Sequence, residues 1–148
     1  MQNLSLSPLY DPTLVQPMRD EITSLGVEEL KTPEEVERVM SQEGTTLLFI
    51  NSVCGCSAGG ARPALAQAMT SEIRPDRAVS VFAGQDREAT EKMRSFIHGY
   101  PPSSPMFVLF RDGQIVHAVP RHHIEGFMPS QIADNLKGAF EAYCGKTA

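Results

Sequence analysis

Apolar positions along the chain alternate between helical and strand-like spacing. Met18, Ile22 and Leu25 recur on one helical face, with Gly26 as the stop. Val27–Leu30 reads as a short edge strand. Thr32-Pro33-Glu34-Glu35 is a helix start, with a threonine cap, proline in the first turn and a glutamate completing a capping box. Val36, Val39 and Met40 form that helix's apolar face, and Gly44 follows as a stop. Thr45–Asn51 (TTLLFIN) is nearly continuous in apolar strand formers, the pattern of a strand covered on both faces; a short buried helix has the same pattern. After Val53-Cys54-Gly55-Cys56-Ser57, helical spacing resumes over Ala58–Thr70 through Ala61, Leu65, Ala68 and Met69. Pro63 is expected to kink that helix if it lies inside it.

Ala78–Ala83 (AVSVFA) reads as a second central strand, and Asp86 as the cap of a helix with Ala89, Met93, Phe96 and Ile97 on one face. Pro101-Pro102-Ser103-Ser104-Pro105 is a rigid turn. Met106–Arg111 and Gln114–Val119 flank Asp112-Gly113, a strong hairpin signal. Pro129 or Ser130 opens a last helix with Ile132, Leu136, Phe140 and Tyr143 inward. After the first helix the order is β-α-β-α-β-α-β-β-α. No repeat or linker divides the chain, so a single α/β domain with a mixed sheet is expected over residues 1–148, residues 1–14 forming a poorly ordered N-terminal segment.

Composition narrows the class. A chain of 148 residues, 41% of them hydrophobic, can bury a core without disulfide staples. A net charge of -5 without a basic stretch argues against nucleic acid or an anionic membrane as partner. No apolar run is long enough to span a membrane, and no positively charged segment precedes an apolar one near Met1. The expected location is therefore a reducing cytoplasm, where cysteines are more often reactive or metal-binding than structural.

Two of the three cysteines, Cys54 and Cys56, fall between a predicted central strand and the next helix. Ligands of open α/β sheets bind beyond the carboxyl ends of such strands, and a helix N-terminus favours a thiolate. The small residues Gly55, Ser57, Ala58, Gly59 and Gly60 keep the site open. Strand Met106–Arg111 should run antiparallel to the central strands, bringing Ser104-Pro105 to the same end, where thioredoxin-like folds place a cis-proline that orients an incoming disulfide. The return strand then delivers Pro120-Arg121-His122-His123 nearby, with Arg121 or His122 as partners for a thiolate or for a carboxylate-bearing thiol. Arg62, one turn after Cys56, reads as a surface residue or a substrate contact. A Cys54–Cys56 disulfide would close a very small, strained ring, easily reduced. Gly55 eases that strain through its wider range of backbone angles.

The blocks NSVCGCSAGGARPA (Asn51–Ala64), VFAGQDREAT (Val81–Thr90), PPSSP (Pro101–Pro105) and PRHHIEG (Pro120–Gly126) resemble the bacilliredoxin family of thioredoxin-like proteins. The resemblance runs from the Pro17-Met18-Arg19 region to Cys144. It implies a thioredoxin-like fold: a central mixed sheet flanked by helices, with a C-terminal hairpin and a final helix. It also implies a thiol–disulfide oxidoreductase that removes bacillithiol from S-bacillithiolated cytosolic proteins. Cys54 would attack the mixed disulfide and Cys56 act as second redox thiol, with Gly55, Ser104 and Pro105 orienting the substrate. No bound cofactor or metal is implied; bacillithiol is a substrate, and the partners are client proteins and a recycling reductase. His123 stands where the family pattern leads one to expect an acidic residue.

Rival readings differ in class. A general disulfide isomerase would use the same pair without preference for one small thiol. A non-enzymatic metal-binding or redox-sensing module would clamp zinc or an iron–sulfur cluster, but a closed site wants four ligands, and beyond the pair the chain has only Cys144 and four dispersed histidines. Cys144, at the end of the last helix, reads as a semi-exposed spare thiol; a resolving role would require it to approach Cys54. His98 and His117 read as structural, and Met18, Met40, Met69 and Met93 as core filler.

Overall fold

A computed structural model describes residues 6–145. Of the segment expected to lack order, residues 1–5 lie outside the described residues. Further on, the Leu9 N–H donates to the Gly84 carbonyl (2.8 Å), and the Tyr10 N–H to the Gln85 side chain (2.8 Å).

Five helices and five strands follow in the order α1 (Pro12–Thr23), β1 (Glu28–Glu29), α2 (Pro33–Met40), β2 (Thr45–Asn51), α3 (Arg62–Ala68), β3 (Arg77–Phe82), α4 (Arg87–Arg94), β4 (Met106–Arg111), β5 (Gln114–Val119) and α5 (Pro129–Tyr143). The sheet order is β1-β3-β2-β4-β5, with β1, β3 and β2 parallel and β4 and β5 antiparallel to their neighbours. All seven residues of β2 are buried, because helices cover both faces of the sheet. Leu47 and Phe49 face a core shared with α1, α3 and α5; Leu48 and Ile50 face one shared with α2 and α4. Phe49 stacks on its cross-strand partner Phe107, with ring centroids 4.8 Å apart.

Local signals act as expected. The Thr32 hydroxyl accepts from the Glu35 N–H, and the Glu35 carboxylate accepts from the Lys31 N–H at 2.7 Å. Asp112 (φ 51) and Gly113 (φ 80) make the two-residue turn that suits a right-twisted hairpin. α2 itself ends at Met40; Gly44 (φ 95) serves instead as the turn into β2.

Other expectations shift. The second parallel strand begins one residue early, at Arg77, and ends at Phe82. α4 stops at Arg94, so Phe96 and Ile97 reach the core from the following turn. Asp86 holds the cap position of α4 but caps nothing with its side chain. Its carboxylate instead pairs with the buried guanidinium of Arg19 (2.8 and 3.1 Å), which also meets Glu29 at 2.7 Å and lies over the Phe82 ring.

Candidate active site

β2 is the middle strand, and its carboxyl end opens directly into the cysteine turn. The helix expected from Ala58 begins earlier, with helical turns from Gly55, then a π-helical turn over Ser57–Ala61 before α3. Pro63 explains the widening: it has no N–H to donate, and its ring crowds the carbonyl four residues back. The preceding turn spreads to a five-residue bond, with the Arg62 N–H donating to the Ser57 carbonyl. The Cys54 carbonyl accepts from the N–H groups of Ser57 (3.1 Å) and Ala58 (3.2 Å), which fixes the first turn.

The two thiols are hydrogen-bonded, Sγ to Sγ, at 2.7 Å, and both are half-buried. For Cys54, burial works against the thiolate. Hydrogen bonds from the Cys56 thiol, the Ser52 hydroxyl and the backbone N–H groups of Ser57 and Cys56 outweigh it, and the pKa falls below that of an ordinary thiol. Cys56 moves the other way. Burial, its hydrogen bond to Cys54 and the Cys54 negative charge push it up to about 11, with Arg121 opposing and Glu125 adding to the rise. The two thiols are thus displaced in opposite directions, Cys54 toward the thiolate and Cys56 toward the protonated form.

The antiparallel hairpin brings its predicted residues to this end. Met106 pairs with Ile50, so Ser104-Pro105 lies beside the carboxyl end of β2, and the Ser104–Pro105 bond is cis. Phe107 pairs with Val119, so the chain after β5 returns to the same end. Arg121 is held there by its N–H on the Ser103 hydroxyl (2.8 Å) and by Nη1 on the Ser104 carbonyl (3.3 Å). Its guanidinium is stabilised by the charges of Cys56 and Cys54, then by Glu125. His122 is exposed and packs edge-on against His123 (centroids 4.2 Å), lining a cavity with Ser104 and Arg121. Among the described residues no hydrogen bond joins it to a thiol.

Two expectations are corrected. Arg62 is neither on the surface nor open to substrate: it is 3% exposed. Its Nη1 donates to Asn51 Oδ1 (3.0 Å), the Ser52 carbonyl (2.8 Å) and the Ser57 hydroxyl (3.2 Å), while Nε meets Glu21 at 2.9 Å. It braces the strand end from behind. Cys144 is fully buried rather than semi-exposed, and burial raises its pKa while the Thr45 hydroxyl opposes this. Thr45 begins β2, so Cys144 sits at the opposite end of the sheet from Cys54 and cannot act as a resolving thiol. Gly55 is helical without a positive φ, and an added Cβ would meet nothing within 4 Å; its backbone freedom is unused in the dithiol form. Sequence reasoning missed Ser52 and Glu125. The position of Ser52, two residues before Cys54, was the available signal; Glu125 gave none before the hairpin closed. The described residues assemble no group of three or more His, Cys, Asp or Glu able to hold a metal, and none of their helices is long and apolar enough to cross a membrane.

Two adjacent thiols with pKa values displaced in opposite directions at the end of a central strand, beside a cis-proline loop in a mixed sheet, define a thiol–disulfide oxidoreductase of thioredoxin fold. Solved structures agree on the fold. Mitochondrial thioredoxin 3 of Saccharomyces cerevisiae superposes with a TM-score of 0.56 at 16% identity, covering 82% of this chain and 98% of that one. A thioredoxin variant of Halobacterium salinarum gives 0.54 at 20% identity, covering 82% and 93%. The family model described as Disulphide isomerase matches residues 10–144. The bacilliredoxin of Salinibacter ruber is 58% identical over 139 residues, 92% of this chain and 82% of that protein. That of Geobacillus kaustophilus is 54% identical over 138 residues, 92% and 95% of the two chains, and one from Staphylococcus aureus is 48% identical over 136 residues, 92% and 94%. The chain belongs to the bacilliredoxin family.

Proposed function

We propose that the protein releases bacillithiol from S-bacillithiolated proteins of a reducing cytoplasm. The observation that carries this reading is the opposed displacement of Cys54 and Cys56 beside Arg121. The Cys54 thiolate attacks the bacillithiol sulfur of the mixed disulfide. The old S–S bond breaks, and the client cysteine leaves as a thiolate and takes a proton from solvent. Cys54 now carries bacillithiol through a new disulfide. That capping removes the Cys54 hydrogen bond and charge, which add to burial in holding the Cys56 proton. Cys56 then loses it to solvent and attacks the Cys54 sulfur, expelling bacillithiol as a thiolate and leaving a Cys54–Cys56 disulfide. A dithiol reductase, itself oxidised in exchange, restores the pair. Bacillithiol is a substrate throughout, and the naming of the relatives as bacilliredoxins supports its identity.

Adduct mapping tests the scheme. With a bacillithiolated client, Cys54→Ser should release nothing, and Cys56→Ser should accumulate bacillithiol on Cys54, both read by mass spectrometry. Release by Cys54→Ser at the wild-type rate removes the nucleophile from the scheme. The family model's description favours a second reading, a general disulfide isomerase. Equal activity on scrambled disulfides and on glutathione and bacillithiol adducts would establish it.

A further inference from the structure

Beside the dithiol lies a cavity of about 660 Å³, a size ordinary for small-molecule sites. Its walls come from the Tyr100–Ser104 turn, the Pro120–His123 segment and the end of α4. The prolines in these walls have fixed backbone angles, so the space is preformed rather than opened by a ligand.

Its charge is unlike that of the rest of the protein. The whole chain carries -5, yet the cavity is lined by two guanidiniums, Arg94 and Arg121, and a single carboxylate, Glu125. Arg94 is the telling residue. Among the described residues its buried Nε has no hydrogen-bond partner, and its side chain makes one hydrogen bond, from Nη2 to the Ser103 carbonyl at 3.3 Å. The half-buried Arg94 forms no ion pair among the described residues, whereas the two buried arginines, Arg19 and Arg62, both have carboxylate partners. Burial lowers its pKa, against partial support from Glu91. A buried guanidinium N–H left without an acceptor is costly unless something else completes it. Arg121 is also under-engaged: Nε stands 3.6 Å from Glu125, and Nη1 makes a long bond to Ser104. Ser104, in the cavity wall, precedes the cis-proline beside the carboxyl end of β2, and Arg121 and Glu125 act by charge on Cys56, so the cavity adjoins the reacting sulfurs.

We propose that this cavity receives the carboxylate-bearing part of the small thiol while its sulfur is joined to Cys54, with Arg94 and Arg121 as the carboxylate contacts. The inference rests on the small-thiol reading above and gives it a location. A planar guanidinium suits a carboxylate, and two of them suit a ligand with two carboxylates, as bacillithiol has on its malate group. A client's acidic side chain offers the same chemistry. The buried Arg94 Nε favours the small thiol, which can sit inside the cavity instead of reaching in from a folded surface.

Direct binding tests the location without turnover. S-methylated bacillithiol, which cannot exchange disulfides, is added to the reduced full-length protein while the arginine Nε–H resonances are followed by NMR. The Arg94 signal should shift, and the affinity should fall about tenfold for the dimethyl ester of the ligand and about tenfold for Arg94→Gln. The ester arm uses wild-type protein, so a poorly folded variant cannot obscure the result; equal affinity for acid and ester overturns the proposal. In turnover, the wild-type preference for bacillithiol over cysteamine conjugates, as a ratio of kcat/KM, should fall about tenfold in Arg94→Gln. If that variant's loss tracks acidic residues in the client peptide and not esterification of the thiol, the ligand is the client and the proposal fails. Binding at Arg94 without release from clients refutes the de-bacillithiolation reading alone, and release that ignores esterification refutes the cavity alone.

Discussion

Replacing Cys56 with alanine should raise the Cys54 pKa, and the size of the rise follows from the site. The two sulfurs are hydrogen-bonded at 2.7 Å; when Cys54 is ionised the Cys56 thiol is the donor, and it is the foremost of the groups that favour the thiolate. A hydrogen bond to a charged acceptor contributes about 1.5–3 kcal/mol; for a half-buried thiol the lower end applies, about one pKa unit. The Ser52 hydroxyl and the N–H groups of Ser57 and residue 56 remain, so the rise stops there. Iodoacetamide alkylation of Cys54, followed by mass spectrometry across pH, reads the result. Below the pKa, a one-unit rise cuts the thiolate tenfold, but each thiolate becomes about threefold more nucleophilic, for a net slowing of about threefold. On the alkaline plateau only the nucleophilicity gain survives, and Cys56→Ala should be about threefold faster than wild type. The two pH–rate curves must therefore cross. An unchanged midpoint, or curves that run parallel, would refute the assigned hydrogen bond.

Arg19 is 9% exposed at its side chain between Glu29 and Asp86, at 14% and 11%. Arg19→Met strands both carboxylates and should cost about 3–5 kcal/mol in urea unfolding; a loss within 0.5 kcal/mol, the range of ordinary surface changes, contradicts the pairing. Gly55→Ala should leave the reduced protein as stable or up to about 1 kcal/mol more stable, because the position is helical and open; marked destabilisation of the dithiol form would show that its backbone freedom is used. Cys144 should resist alkylation in the folded protein, and Cys144→Ser should form the Cys54–bacillithiol adduct within about twofold of the wild-type rate. A large slowing in that variant would give the buried thiol a role the sheet geometry denies it.

What the chain makes legible is what neighbouring residues decide. Thr45–Asn51 and Met106–Val119 appear at their predicted limits because apolar runs and an Asp-Gly turn act over a few residues. That the cysteine turn, Ser104-Pro105 and Arg121 meet at one end follows from strand direction; the cis form of the Ser104–Pro105 bond was legible only through the likeness to thioredoxin-like folds. The misread residues depend on distant partners. Arg62 looks like a surface cation until Glu21, 41 positions earlier, and the end of β2 close around it. Asp86 looks like a cap until Arg19, 67 positions away, takes its carboxylate. The π turn fell between the two cases: Pro63 announced a disturbance, but whether it kinks the helix or widens the turn before it depends on packing.

The two arginines expected near the thiols show how the site divides its work. Arg62 spends its donors on Glu21, Asn51, Ser52 and Ser57, so its charge is neutralised and its effect is geometric: it locks the strand end from which Ser52 and Cys54 emerge. Arg121 has only long contacts to Ser104 and Glu125, so its charge remains free to act on the sulfurs. The same logic separates the cysteines. Cys54 begins a helical turn and collects hydrogen bonds from its neighbours, while Cys56 supplies one of them and is held protonated for as long as Cys54 is a thiolate. Order in the reaction therefore needs no moving part. In the proposed reaction, once Cys54 enters a disulfide, the hydrogen bond and charge that add to burial in holding the Cys56 proton end. Arg121 still favours the Cys56 thiolate, so the second thiol gains reactivity after the first has been used.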